Sequence, residues 1–281
     1  MRVLPYEVCD VFTDRPLTGN ALAVFTDAEA LDAATMQALA REVNLSESAF
    51  VQRPSAGADA RIRIFTPTME LPFAGHPTLG TAFVLAAPLV RDHIRLETGR
   101  GTVEVRLVRD ATSIRFGWMS QPLPRLAPYD RSAELLAALG LGGSRLPIEL
   151  YDNGPHYVFV EADTPEAVAA LRPDLARLEA LGSTAFSVFA RKGERWKCRV
   201  FAPGEGIPED PATGAAAGPL ALHLARHGRI RYGEEIVIEQ GAEMGRPSTL
   251  HARAIGDGDR LERVEVGGSA VLVASGVFRL P

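Results

Sequence analysis

Two cysteines in 281 residues, Cys9 and Cys198, are too few for a disulfide framework, and each lies inside a strand-like pattern. A reducing cytoplasm is the compartment this usage implies. Positive charge is also scarce: 30 Lys and Arg against 35 Asp and Glu leave a formal net charge of −5, with no long basic run. That balance argues against a nucleic-acid partner or an anionic membrane surface. Long hydrophobic runs are missing. The longest, around Thr81 to Val90, is broken by Pro88 and is too short to cross a bilayer. Met1 to Tyr6 passes straight into a strand pattern without a signal-peptide core. There is no Walker A sequence, nucleophile elbow or low-complexity tract. Gly140-Leu141-Gly142-Gly143 follows a helical pattern instead of a strand, which removes it as a dinucleotide fingerprint. His223 and His227 stand four apart with no neighbouring ligand residue, so no metal is expected. With Arg226 they read as the decoration of a helix C-terminus.

What the chain does have is a duplication. Phe50, Phe65 and Pro67 recur as Phe186, Phe201 and Pro203 at one offset (186 − 50 = 201 − 65 = 203 − 67 = 136). Further on, Gly75-His76-Pro77-Thr78-Leu79-Gly80 aligns with Glu209-Asp210-Pro211-Ala212-Thr213-Gly214, two residues out of step. A period of this length predicts duplicated halves facing one another across a pseudo-twofold axis, with a small-molecule cleft between them. The length suits two domains of roughly 100–150 residues each. The proline-rich segment from Gln121 to Pro128 is the linker candidate.

Short strands dominate the pattern. Tyr6 to Phe12, Ala21 to Phe25, Ser48 to Gln52 and Ala60 to Phe65 read as strands, and Ala33 to Val43 as a helix capped by Asp32 and stopped by Asn44. In the second half, strands are expected at His156 to Glu161, Ala185 to Ala190 and Lys197 to Phe201, with a helix in Pro165 to Leu181. The paired helices, Pro77 to about Ala87 and Pro211 to about His227, begin with long stretches free of charge. A helix apolar all round has no solvent face, so each half should wrap its strands around one such helix. Their N-termini, rich in free N–H groups, would then point at the junction and bind a carboxylate.

Candidate residues cluster at these helix starts. Asp210-Pro211 fits a helix cap followed by a first-turn proline, a purely structural role, as well as it fits a site. His76 is not a favoured cap residue, and a broken local rule at a buried helix start points to function, against the alternative of a hydrogen-bonded interior histidine. Gly75, Gly80 and Gly214 fit close approach of a ligand or tight helix–sheet packing equally. Glu47 follows a helix stop, and its repeat partner is Ser183, so the duplication itself does not demand an acid there. Gln240 to Ser248 reads as an elaborate structural turn.

Thr18-Gly19-Asn20, Asn44 to Phe50, Pro72 to Gly80, Glu209 to Gly214 and Gln240 to Ser248 together resemble the signatures of the PhzF-like phenazine-biosynthesis isomerase family. The resemblance implies an α+β fold of the diaminopimelate-epimerase type. It has two pseudo-twofold-related domains, each a curled, mostly antiparallel sheet or barrel around a central apolar helix. The halves would be residues 1–120, joined by a final strand at about 270–281, and residues 128–268. The family implies a cofactor-free homodimer acting on a small carboxylate-bearing metabolite. Glu47 would be the general acid/base and His76 and Asp210 its companions, while amides at Gly75 and Gly214 hold the substrate carboxylate. The family often carries serine where this chain has Ala215, so a substrate contact changes there. Racemases of this fold use two cysteines at the helix starts, which Cys9 and Cys198 do not match. A non-catalytic carboxylate-binding protein and a thiol-independent epimerase remain as alternatives.

Overall fold

The computed structural model describes residues 2–55, 57–87, 91–111, 113–257 and 260–280. The fold is mixed α/β and mostly sheet, and the eighteen strands among the described residues connect through hydrogen bonding into one network. Six α-helices accompany them among the described residues: α1 (Ala33–Val43), α2 (Gly75–Ala86), α3 (Ser132–Leu139), α4 (Pro165–Ala170), α5 (Leu175–Glu179) and α6 (Gly214–Arg226).

The duplication is visible in the pairing. Strand Asn20–Phe25 runs parallel to Glu47–Gln52, which is antiparallel to Ala60–Phe65, which in turn is parallel to His93–Thr98. The same sequence of directions recurs through His156–Glu161, Ala185–Lys192, Arg195–Ala202 and Ile236–Gln240. Even the register repeats, since Ala60 pairs with Leu96 and Trp196 with Ile238, and 196 − 60 = 136. Parallel strands joined by a helical crossover are covered on both faces, which explains their nearly unbroken apolar runs. Helix α1 supplies the outer layer over the first set, around Phe25, Phe50 and Phe65. Helices α3, α4 and α5 do so over the second, around Val158, Phe186 and Phe201.

On the inner side lie α2 and α6, buried over almost their whole lengths. Helix α2 packs against Arg2–Val11, Asn20–Phe25 and Ser113–Gln121, and α6 against Ser248–Asp257 and Arg260–Gly268. The absence of charge throughout α2, and in α6 before its terminal Arg226, is therefore a packing requirement: any lysine or glutamate there would be desolvated. The last strand, Ala270–Leu280, pairs antiparallel with Arg2–Val11, and Arg260–Gly268 pairs with Ser113–Gln121.

Several elements differ from the sequence reading. Helix α1 has the expected bounds, with the Asp32 carboxylate accepting the Thr35 amide proton at 2.8 Å and Asn44 left-handed at φ 53°. The helix expected over Pro165 to Leu181 is two short ones, α4 and α5, because Pro173 interrupts the run. The expected linker instead contains a strand, Arg125–Pro128, paired with Glu149–Asp152. Helix α6 begins at Gly214, three residues later than expected, and Asp210 ends the strand Ile207–Asp210. The capping explanation of Asp210 is thereby overturned, for a cap must abut its helix. Pro88 to Val90, the end of the longest apolar stretch, lie outside the described residues.

Candidate active site

The two inner helices meet at their N-termini. A Cβ on Gly75 would collide with the Ala215 amide nitrogen, and one on Gly214 would lie 3.2 Å from the His76 nitrogen and 2.6 Å from the Phe12 ring. Glycine at both positions is what lets the backbones approach so closely. Phe12 is fully buried, and its φ of 63° is a costly conformation for a bulky residue. It is held there by its N–H to the Ser269 carbonyl (2.8 Å) and by the Thr249 N–H to its own carbonyl (2.8 Å). Neither helix has a capping side chain at its first turn. Two positive dipole ends are thus directed at one place, free of a competing side-chain acceptor.

Around this junction lies a small cavity lined by Glu47, His76, Tyr157, Glu205, Asp210 and the helix starts at Gly75, Gly214 and Ala215. The space is about 20 Å³, room for about one water. A wider groove of about 590 Å³ lies elsewhere, near Asp59 and Arg91, but those two charges already pair at 2.7 Å. The small cavity carries the unpaired chemistry.

Glu47 opens its strand and is buried. One carboxyl oxygen, Oε2, has no hydrogen-bond partner, and neither has His76 Nε2, which faces it at 3.5 Å. Burial pulls the imidazole down to about 3, so the ring is neutral and the contact is not an ion pair. His76 Nδ1 lies 3.1 Å from the Asn20 side-chain nitrogen, which can only donate. The ring therefore accepts at Nδ1 and carries its own proton on Nε2, toward Glu47. Burial, followed by the nearby Asp210 and Glu205, raises the Glu47 carboxyl well above its ordinary range.

Asp210 is the hub of the polar network. Its carboxylate accepts from Asn20 at 2.8 Å and from the Thr213 hydroxyl at 2.6 Å, and Gln240 donates to its backbone carbonyl at 2.7 Å. Burial raises the group, while hydrogen bonds from Thr213, Asn20 and Ser46 oppose that shift. The Ala212 carbonyl lies 3.0 Å from the same Asn20 nitrogen, whose two protons are shared among His76, Asp210 and this carbonyl, tying the first set of strands to the turn before α6. Glu205 is pushed up to about 7 by burial and then by Asp210. Tyr157 is raised well above its usual value by burial, then by Glu205, Glu47 and Asp210.

The structure brings together Glu47, His76, Asp210, Gly75, Gly214 and Ala215, whereas Gly80 does not line the cavity and packs against Val11, Leu22 and Cys9. Sequence reasoning gave no role to Asn20, Tyr157 or Glu205, and took Gln240 for part of a turn. Asn20 stood within a quoted motif, whereas nothing marked Glu205. The expectation that His223 and His227 lack a nearby ligand is also corrected. Glu149, His223 and His227 place their ligand atoms within 4.8 Å of one another. Arg226 Nη1 already donates to Glu149 at 2.8 Å, so this cluster is a charge network that anchors the end of α6. A metal cation there would have to compete with the guanidinium.

A mostly-sheet α/β chain whose helix starts frame an unpartnered acid and a neutral imidazole fits the class of small-molecule isomerases on this fold. Residues 9–276 match the family described as phenazine biosynthesis-like protein. The trans-2,3-dihydro-3-hydroxyanthranilate isomerase of Pseudomonas aeruginosa is 52% identical over 271 residues, covering 96% of this chain and 98% of that protein. The Pseudomonas fluorescens protein of the same name is 50% identical, with 98% and 99% covered. A Pseudomonas aeruginosa structure described as a predicted epimerase superposes with a TM-score of 0.84 at 35% identity, covering 99% of this chain and 100% of that one. A hydroxyproline epimerase from Agrobacterium vitis shares the fold, with a TM-score of 0.67 at 12% identity over 98% and 92% of the two chains. The chain belongs to the phenazine biosynthesis-like protein family and is a PhzF-like isomerase.

Proposed function

We propose that the chain moves a proton within trans-2,3-dihydro-3-hydroxyanthranilate or a closely related ring carboxylate, with Glu47 as the general acid/base. The observation that carries this reading is the pair of buried, unpartnered polar atoms, Glu47 Oε2 and His76 Nε2, facing one another at 3.5 Å. A protein that only bound its ligand would have no use for leaving them unsatisfied, since each orphaned group costs about 1–3 kcal/mol. A carboxylate with a raised proton affinity is a stronger base toward a carbon-bound proton, and a dry cleft keeps it so. In this reading the amides at Gly75, Gly214 and Ala215 receive the substrate carboxylate. Among the described residues no lysine or arginine lines the cavity to do so. Ala215 then contributes backbone alone where relatives often add a hydroxyl. His76 and Asp210 position the substrate and steady the charge that develops. A ring carboxylate does not fit in about 20 Å³, so the walls part to admit it.

The same reading divides the chain into pseudo-twofold-related halves, residues 1–120 with 270–281 and residues 128–268, each wrapped around α2 or α6. The repeated strand directions and the return of Ala270–Leu280 to Arg2–Val11 support it. Exposed Val3, Leu272 and Val277 along that last pair support a homodimer, and two buried free cysteines fit the cytoplasm.

The test is Glu47→Gln. Turnover of trans-2,3-dihydro-3-hydroxyanthranilate should fall by a factor of roughly 10²–10⁴ while the substrate still binds. Full activity in that variant refutes the assignment.

A further inference from the structure

The repeat places two asparagines at matching positions, and they do different work. Val24 pairs with Ala49, and Tyr157 with its repeat partner Ala185, so these strands recur at 157 − 24 = 133 and Asn153 matches Asn20 (153 − 20 = 133). Asn153 serves packing, its Nδ2 donating to the Ala215 carbonyl of α6 at 2.9 Å. Asn20 is fully buried, and its Nδ2 lies 2.8 Å from Asp210 Oδ1, 3.0 Å from the Ala212 carbonyl oxygen and 3.1 Å from His76 Nδ1. Only the amide nitrogen can stand there. Turned over, the side chain would hold its oxygen against the Ala212 carbonyl and against a carboxylate whose other oxygen already accepts from Thr213. Asn20 Oδ1 is left buried without a partner, which packing alone would not select, because an orphaned acceptor destabilises the fold.

We infer that Asn20 is a positioning residue: oriented by Asp210 and the Ala212 carbonyl, it holds His76 in the tautomer whose Nε2–H faces Glu47. The inference rests on the function proposed above. The choice of tautomer decides what the ring does for the proton in transit. With its hydrogen on Nε2, His76 donates to Glu47 Oε2 whenever that carboxylate is ionised, and it offers no lone pair to a proton that Glu47 carries. Glu47 therefore keeps the proton taken from a ring carbon on its other oxygen and returns the same proton to carbon. One C–H bond breaks and one forms, with no net oxidation, while burial keeps the imidazole neutral throughout. In the opposite tautomer the Nε2 lone pair would accept the Glu47 O–H, and the proton would be held between acid and imidazole instead of going back to the substrate. The first-half asparagine thus reads acceptors of the second half and passes the result, through the His76 ring, to the reacting acid.

The tautomer is read by long-range ¹H–¹⁵N correlation on the intact protein labelled with ¹⁵N-histidine, His76→Asn identifying the ring among the six histidines. In the wild type Nε2 should carry the proton at neutral pH and Nδ1 should show the shift of an unprotonated nitrogen. In Asn20→Leu, similar in size but without a donor, the Nδ1–H form should appear. The acid limb of kcat/KM for trans-2,3-dihydro-3-hydroxyanthranilate should then move up by about one pH unit or more, because ionised Glu47 loses a charge-assisted hydrogen bond. Asp210, Glu205 and Tyr157 also face Glu47, and Asn20→Leu takes a hydrogen bond from Asp210 as well. A His76→Asn background separates the two routes: with no tautomer to set, adding Asn20→Leu should leave the limb in place. Asn20→Ala carries the same expectations should the leucine not be accommodated. Wild-type protein with Nδ1 protonated, a limb that Asn20→Leu does not move, or a shift that persists undiminished without His76 overturns the inference. Any of these alongside an inactive Glu47→Gln rejects Asn20 alone. Full activity in Glu47→Gln removes the proposed function, and this inference with it.

Discussion

Glu47, Asp210 and Glu205 share a cavity wall without a lysine or arginine, and burial raises the proton affinity of all three. Such acids cost stability when ionised, and the sign of their pH dependence follows. For Glu205 the folded value of about 7 stands against 4.5 for the free side chain, so the folded state holds the extra proton between those values. Its contribution is fully present below pH 4.5 and is lost as pH rises through 7. Glu47, Asp210 and Tyr157 face the same space and are shifted the same way, whereas His76, lowered from 6.5 to about 3 by burial, adds stability as pH rises between those values; it is present in both proteins and so drops out of their difference. Glu205→Gln is therefore predicted to stabilise the protein at pH 8 by on the order of 3 kcal/mol, and by little at pH 4. Denaturant unfolding of both proteins across that range checks it, and an equal difference at both ends would count against the burial argument. At this scale the sequence was readable where a residue broke a local rule, as His76 did at a helix start, or fell in a recognisable motif, as Asn20 did. Glu205 did neither. Its burial in the cavity wall is a tertiary effect that no local pattern encodes.

Among the elements, α6 shows how far local rules carry. Its apolar composition correctly announced a buried helix, yet Asp210-Pro211 announced the wrong start. The Asp210 side chain is engaged by Asn20 and Thr213, and Gln240 reaches in to hold Asp210 and Thr213, so the chain completes a turn before the helix begins. Propensity lost to a long-range network. Inside the helix, Pro219 has no N–H for the carbonyl four residues back, at Ala215. Asn153 fills that vacancy, donating to the Ala215 carbonyl at 2.9 Å, while Gln121 donates to the Gly214 carbonyl at 2.8 Å. These side chains fix the first turn of α6, whose amides border the cavity. Asn153→Ala should destabilise the protein by about 1–3 kcal/mol, because a buried carbonyl is left without a donor. In a Pro219→Ala background the restored helical N–H takes over, and the same substitution should cost clearly less. A double-mutant cycle measured by thermal unfolding gives the coupling. A coupling of zero would mean that Asn153 does not replace the hydrogen bond lost to Pro219.

For the whole molecule, the repeat found in the sequence led to the expectation that the second half repeats the plan of the first, and the order of strand directions does repeat. What the repeat did not reveal is how tightly the two proposed halves are stitched together. Strand Arg260–Gly268 pairs with Ser113–Gln121, and the final strand completes its partner Arg2–Val11 only after the chain has passed through the second half. Arg246 reaches across to Asp10 at 2.6 Å and to the carbonyls of Thr18 and Gly19, each at 2.7 Å. Neither half can unfold without stripping strands and charges from the other, so one cooperative transition is expected even in a chain of 281 residues. The two tryptophans make this measurable. Trp118 lies on Ser113–Gln121 and Trp196 on Arg195–Ala202, one reporter in each proposed half. In Trp118→Phe and Trp196→Phe proteins the remaining indole should report superimposable urea transitions, each matching the loss of secondary structure in the same sample. Separate indole midpoints would instead mean that the crossing strands join two independently stable units, whose closure around the cavity is then governed by their mutual docking.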